Sequence, residues 1–231
     1  SDELRSIMRH LPLLAMFLAA PVVFAAGATQ LTAGSASAVV LDGSSNVTNW
    51  QCRGTAIEAL MLVATSAEHI NEVIDRVEDG NIGVWMANPS RGRFPEPRFE
   101  LAIPVTTFRC GNRVMESDMR RALKSSAYPS VRFSFRTMRG GIRHDIDSGL
   151  YHAEITGDLT LAGVTRTIDL TVSAQRLSRK AFRIRADLPL RMTDFNVTPP
   201  TALFGAIRAR DTLTVRFDLT LEVTTPSRGR S

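Results

Sequence analysis

Leu213-Thr214-Val215-Arg216-Phe217-Asp218-Leu219-Thr220-Leu221-Glu222-Val223 alternates without a break between apolar and polar residues. Successive side chains of a strand point to opposite faces, so this is a half-buried antiparallel strand. The same pattern recurs at Thr167–Ala174 and Ala181–Leu190. Working back, Val131, Phe133 and Phe135 alternate with Arg132, Ser134 and Arg136, and Phe99, Leu101, Ile103 and Val105 alternate within Arg98–Phe108. Tyr151–Leu161 and Val164–Ala174 read as a hairpin around Ala162-Gly163. Val39–Leu41 begins a first strand, Asp42-Gly43-Ser44-Ser45 is a turn, and Val47–Arg53 leads into a second strand, Thr55–Ala64. The expected fold is all-β with minor helices. It is an antiparallel barrel of about eight strands with a helical insertion, because closure removes exposed strand edges.

Two helices interrupt the strands. Thr65 is expected to cap the first, with Glu68 reaching back in a capping box, and Ile70, Val73, Ile74 and Val77 recur at helical spacing up to Gly80. Glu116–Ser125 reads as a short helix with Met119, Ala122 and Leu123 on one side. The first helix is expected to pack on the outside or the end of the barrel. Asn88–Pro97 reads as a surface loop, and Pro104 marks an edge or a bulge because it cannot donate to a ladder.

The chain has 231 residues. Met8-Arg9-His10 followed by the apolar run Leu11–Phe24 and by Ala-rich cleavage sites reads as a secretory signal peptide over residues 1–28, with residues 1–7 upstream of a start at Met8. The run is shorter than the ~20 residues that span a bilayer, although a retained anchor is the competing reading. Gly27–Ser37 reads as a stretch that begins disordered, residues 37–225 as the β domain, and residues 226–231 as a flexible tail. The mature chain is expected to be soluble.

Lys and Arg number 28 against 23 Asp and Glu, a net charge of +5, and only Lys124 and Lys180 are lysines. This balance suits an anionic membrane surface. Export and the scatter of the arginines argue against nucleic acid. Cys52 and Cys110 are an even pair in an exported chain and so are expected to form a disulfide, two buried thiols being the alternative.

No catalytic constellation is evident. His10, His69, His144 and His152 make no ligand pair at helical spacing, and Asp158, Asp169 and Asp194 are not paired for acid–base work. The reading is therefore of a chain without catalytic residues, metal ligands or a cofactor. What stands out is the loop Leu190–Gly205, with Met192, Phe195, Val197, Leu203 and Phe204 around Pro199-Pro200. These residues either plug one end of the barrel or line a ligand entrance. Phe133, Phe135, Phe182, Ile184, Leu213, Val215 and Phe217 are expected on inward faces, with Met192, Phe195, Leu203 and Phe204 at one end, as the surface that touches an apolar ligand.

Several segments, in order, resemble the YceI-like family. They are Asn46-Val47-Thr48-Asn49-Trp50-Gln51-Cys52, Met119–Lys124 followed by Tyr128–Phe133, Gly157–Thr165, and Thr193-Asp194-Phe195 with Pro199-Pro200. The resemblance covers roughly residues 37–223. It implies a lipocalin-like antiparallel barrel that holds a polyisoprenoid or similar long apolar chain, in an exported, periplasmic bacterial protein. The chain departs from the pattern at Thr65–Pro97. The expected role is a non-enzymatic carrier for an isoprenoid lipid such as a quinone tail. The alternatives, in order, are a stress-related envelope barrel acting through protein contacts, an enzyme, and an outer-membrane barrel. Neither the ligand nor the oligomeric state follows from the sequence.

Overall fold

The computed structural model describes residues 28–79 and 97–224. The apolar run Leu11–Phe24, the expected helix stop at Gly80, nearly all of the proline-rich loop before Pro97, and the tail from residue 226 lie outside the described residues. In chain order the elements are β1 (Thr29–Ala33), β2 (Ala38–Ser45), β3 (Asn49–Gly54), β4 (Glu58–Val63), α1 (Ala67–Glu78), β5 (Arg98–Pro104), α2 (Arg113–Ala122), β6 (Ser130–Asp145), β7 (Leu150–Leu161), β8 (Val164–Ser178), β9 (Ala181–Arg191), β10 (Thr201–Ala202) and β11 (Ile207–Thr224).

Eight strands close a ring in the order β1-β4-β5-β6-β7-β8-β9-β11, with β11 returning to β1. All the pairings are antiparallel. Strand β11 runs the height of the barrel. Its C-terminal part pairs with β1 and its middle with β2, while its other edge pairs with β9 throughout. Thus β1 and β2 are two halves of one wall strand, parted at Gly34–Ser37. The stretch expected to begin disordered in fact carries the strand that closes the ring. The strand expected over Thr55–Ala64 is β4, and its expected lead-in Val47–Arg53 carries a separate strand, β3: β3 pairs with β2 and β4 with β1.

Register fixes the inside. Leu213, Val215, Phe217, Leu219 and Leu221 stand opposite Leu190, Leu188, Ala186, Ile184 and Phe182 of β9. Directly paired residues share a face, and Leu219 and Leu221 are fully buried. The intervening residues face outward and pair ionically: Arg183 with Asp218, Arg216 with Asp42, and Arg136 with Asp158 across neighbouring strands. A membrane-spanning barrel turns an apolar band outward, so this wall is that of a barrel surrounded by water.

The two helices close different parts of the ring. The side-chain oxygen of Ser66, not Thr65, caps α1 by accepting from the backbone of His69. Helix α1 lies at the end formed by the β8–β9 turn, where Asn71 donates to the Arg179 carbonyl and Arg176 binds Asp75 and Glu78. Val73 of α1 is buried, as are Leu31, Val63 and Leu221 in that half of the barrel. Helix α2 starts three residues earlier than expected, because Asn112 accepts from the Val114 backbone at 2.8 Å and serves as its cap. The segment leading into it pairs with β3 through Arg53 and Arg109, and the disulfide Cys52–Cys110 ties the two together.

The outer ion pairs have a pH consequence. The Asp218 carboxyl is held below its ordinary value by hydrogen bonds from Arg183, Asp158 by Arg136, and Asp75 by Arg176. A depressed folded pKa contributes stability that is complete above the unfolded value, about 4 for aspartate, and is lost as pH falls through the folded value. The melting temperature is therefore expected to be flat from neutral pH to about 5 and to fall below about 4. Circular-dichroism melts across that range check it, and a fall already complete at pH 5 would contradict the assignment.

Candidate functional site

The half of the barrel opposite α1 encloses a cavity of about 320 Å3. Its walls are almost wholly apolar and come from β2, β3, β5, β6, β7, β9 and β11, with Met115, Met119 and Ala122 of α2 closing one side. Its mouth is bordered by Val47 and Thr48 in the β2–β3 turn, Asn112 and Val114 at the start of α2, and Pro200–Ala202 with Ile207 in the β10–β11 hairpin.

The lumen stays open because the large rings lie along the wall. A Cβ placed on Gly157 would stand 2.3 Å from the Phe133 ring, and one on Gly43 would stand 2.1 Å from the Trp50 ring. The missing side chains are thus the space those rings occupy, which leaves the centre to something else. Substituting Gly157 with valine is expected to push the Phe133 ring into the cavity. A Cβ there also meets the Ser134 carbonyl oxygen at 2.7 Å, so a loss of about 1–3 kcal/mol in stability should accompany the change. Denaturant unfolding measures it.

Five of the residues expected from the sequence to touch a ligand come together here: Phe133, Met192, Leu213, Val215 and Phe217 all line the cavity. Phe135, Phe182 and Ile184 pack against the core but lie outside the lining. Phe182 and Ile184 sit beside Leu221 and Leu219 in the half toward α1. Phe135 precedes a bulge that shifts the β6–β7 register before Thr137.

Phe195 is only 3% exposed and is absent from the lining. It ends the 3-10 turn Met192–Phe195, which Asn196 closes in the left-handed conformation that asparagine tolerates. Asp211 clamps that turn, accepting from the Thr193 backbone and hydroxyl and from Arg191, and the Thr193 bonds hold its carboxyl below the ordinary aspartate range. Phe195 is packed into the core rather than set along the cavity. Leu203 and Phe204 lie in the turn Leu203–Gly205 between β10 and β11, where Phe204 is fully exposed rather than turned toward the cavity.

The sequence reading missed Val39, Leu41, Trp50, Leu188 and the α2 methionines as lining. Leu188 was available from the same alternation that selected Ile184. The apolar side of α2 was visible as a stripe, but nothing local said that it would complete the wall of a barrel. The disulfide adds to this. Cys52 is buried and lines the cavity, so the bond holds α2 against β3 at the cavity wall. Thiol counting on the unfolded, unreduced protein should find no free thiol. Reduction is expected to cost about 4 kcal/mol in the chain-entropy account, and the melting temperature with and without reductant measures it.

Among the described residues, no group of three or more His, Cys, Asp or Glu side chains could hold a metal ion. A sequence model of the YceI-like domain matches residues 42–221. A comparison with curated proteins finds no match. Two solved structures share the fold. One is BcnA of Burkholderia cenocepacia, at 14% identity and a TM-score of 0.53, covering 80% of this chain and 94% of that one. The other is a polyisoprenoid-binding domain from Saccharophagus degradans implicated in plant cell wall breakdown, at 15% identity and a TM-score of 0.55, covering 84% of this chain and 98% of that one.

Proposed function

This chain belongs to the YceI-like domain family, and from that premise we propose that it is a non-enzymatic binder that holds the apolar chain of a polyisoprenoid, or of an isoprenoid-quinone-like lipid, in the bacterial periplasm. The observation that carries the reading is the cavity. It is apolar, and its most exposed lining residues, Val47 and Val114, border it at the end away from α1. The likeness in fold to a polyisoprenoid-binding domain supports the choice of ligand, and the disulfide suits an oxidising compartment. No helix among the described residues is long and apolar enough to cross a membrane.

The size of the cavity limits what enters. A carbon group with its hydrogens takes about the ~30 Å3 of a water molecule, so about 320 Å3 holds on the order of ten carbons, about two isoprene units. Each buried methylene contributes about 0.8 kcal/mol, roughly 8 kcal/mol before the cost of ordering the chain. A longer chain therefore leaves its remainder and its head group at the mouth.

Native mass spectrometry of the purified protein tests the reading, before and after incubation with farnesol and geranylgeraniol. A one-to-one adduct that survives gentle activation is expected. A protein that stays free of both probes would overturn it and favour an envelope barrel acting through protein contacts.

A further inference from the structure

The cavity mouth carries a surface that the binding of a chain inside the barrel does not require. Phe204 is fully exposed at the tip of the β10–β11 hairpin, with φ at 55°, a backbone conformation uncommon for a large side chain. Val47, at the tip of the β2–β3 turn, is 61% exposed, and Val114, in the first turn of α2, is 65% exposed. The tips bearing Val47 and Phe204 are locked side by side. The Asn46 amide donates to the Ala206 carbonyl and accepts from the Arg208 backbone, both at 2.8 Å, while the Asn46 backbone donates to the Arg208 carbonyl. Val47 and Val114 border the same cavity, as do Ala202 and Ile207, which flank the Phe204 turn. Single exposed apolar residues are ordinary; here three stand on elements that border one opening.

Three arginines stand around these tips. Arg208 folds under the Phe204 turn, its Nε donating to the Gly205 carbonyl, and Arg210 follows on the same strand. Arg113 lies between Asn112 and Val114 at the mouth. None of the three has a carboxylate partner among the described residues. Of the acids at this end, Asp118 pairs with Arg121 and Asp211 with Arg191, while the exposed Asp194 has no ion-pair partner among the described residues.

We propose that this end of the barrel docks on an anionic lipid bilayer, with Phe204, Val47 and Val114 entering the headgroup boundary and Arg113, Arg208 and Arg210 pairing with lipid phosphates. An apolar tip flanked by arginines is the arrangement that an anionic interface binds, through buried apolar area plus charge attraction. The mouth of the cavity then faces the bilayer, and an apolar chain can pass between them with little exposure to water.

The test is co-sedimentation of the purified protein with phosphatidylcholine vesicles, with and without phosphatidylglycerol. Binding is expected only to the anionic vesicles and should weaken as salt rises. Phe204→Ser should weaken it about tenfold or more, and Arg208→Glu about fivefold or more. Because Phe204 is fully exposed, its variant should melt like the parent chain, which separates a lost contact from lost folding. Arg113→Glu provides a second charge variant on a different element. Equal binding to neutral and anionic vesicles, no binding, or unchanged binding by Phe204→Ser would overturn the proposal. So would a concentration-dependent dimer that Phe204→Ser abolishes, since the patch would then serve a second copy. Prenyl-alcohol adducts measured on the same preparation keep the two readings apart. Vesicle binding with an empty cavity sinks the container and leaves the docking surface, and the reverse result does the opposite.

Discussion

Phe195→Asp is expected to lower the melting temperature of the barrel by roughly 10–20 °C while leaving chain binding intact in the molecules that remain folded. The ring is buried in the plug between β8, β9 and β11, and a carboxylate there has no partner prepared for it. Losing a buried phenylalanine costs about 3–5 kcal/mol, and desolvating the acid adds to that unless it takes up a proton. Since Phe195 does not line the cavity, the loss falls on stability. Thermal melts and prenyl-alcohol binding on one preparation check both halves. Lost binding with unchanged melting would mean that the ring touches the ligand and that its assignment as a plug is wrong.

Leu213→Trp is expected to give the opposite result. Leu213 projects into the cavity from β11, opposite Leu190 of β9 and Gly43 of β2. The Trp50 ring already lies against Gly43, so an indole there competes with it as well as filling the cavity, and the melting temperature is expected to fall by less than for Phe195→Asp. The indole takes the volume that the first isoprene unit needs. Taking the cost of fitting the chain beside an added ring as that of overpacking, about 1–3 kcal/mol, gives about a five- to 150-fold loss of affinity for farnesol. Titration calorimetry or native mass spectrometry measures it. Full affinity in a folded Leu213→Trp protein would place the ligand elsewhere.

The contrast between these two residues shows how far the sequence could be read. Period-two alternation placed Phe133, Leu213, Val215 and Phe217 on the inward face, because strand pairing transmits a face from one strand to the next. Alternation says nothing about height along the barrel. Phe182 and Ile184 therefore looked like Leu213 although they sit in the half toward α1, and only the register of β9 against β11 separates them. The loop Leu190–Gly205 has no period to read. Its apolar residues divide between a buried plug at Phe195 and an exposed tip at Phe204 according to two left-handed residues, Asn196 and Phe204, of which only the asparagine announces its conformation. The split of one wall strand into β1 and β2 was invisible because Gly34–Ser37 resembles any small-residue loop.

The closure of the ring has a consequence for how the protein comes into being. Strand β1 meets β11 at the end of the described chain, with Thr224 donating to the Gln30 carbonyl across 194 residues of sequence. No earlier strand can substitute for β11, which supplies partners to β1, β2 and β9 at once. Contacts so distant in sequence demand that the entropy of a very long loop be overcome before any of them stabilises the product, so assembly is slow and late. A nascent chain lacking β11 has no vessel and no seal, and its apolar faces remain open. Loading of a lipid is thus a property of the finished polypeptide alone, and a fragment truncated before Ile207 should neither retain a chain nor protect its strands from proteolysis.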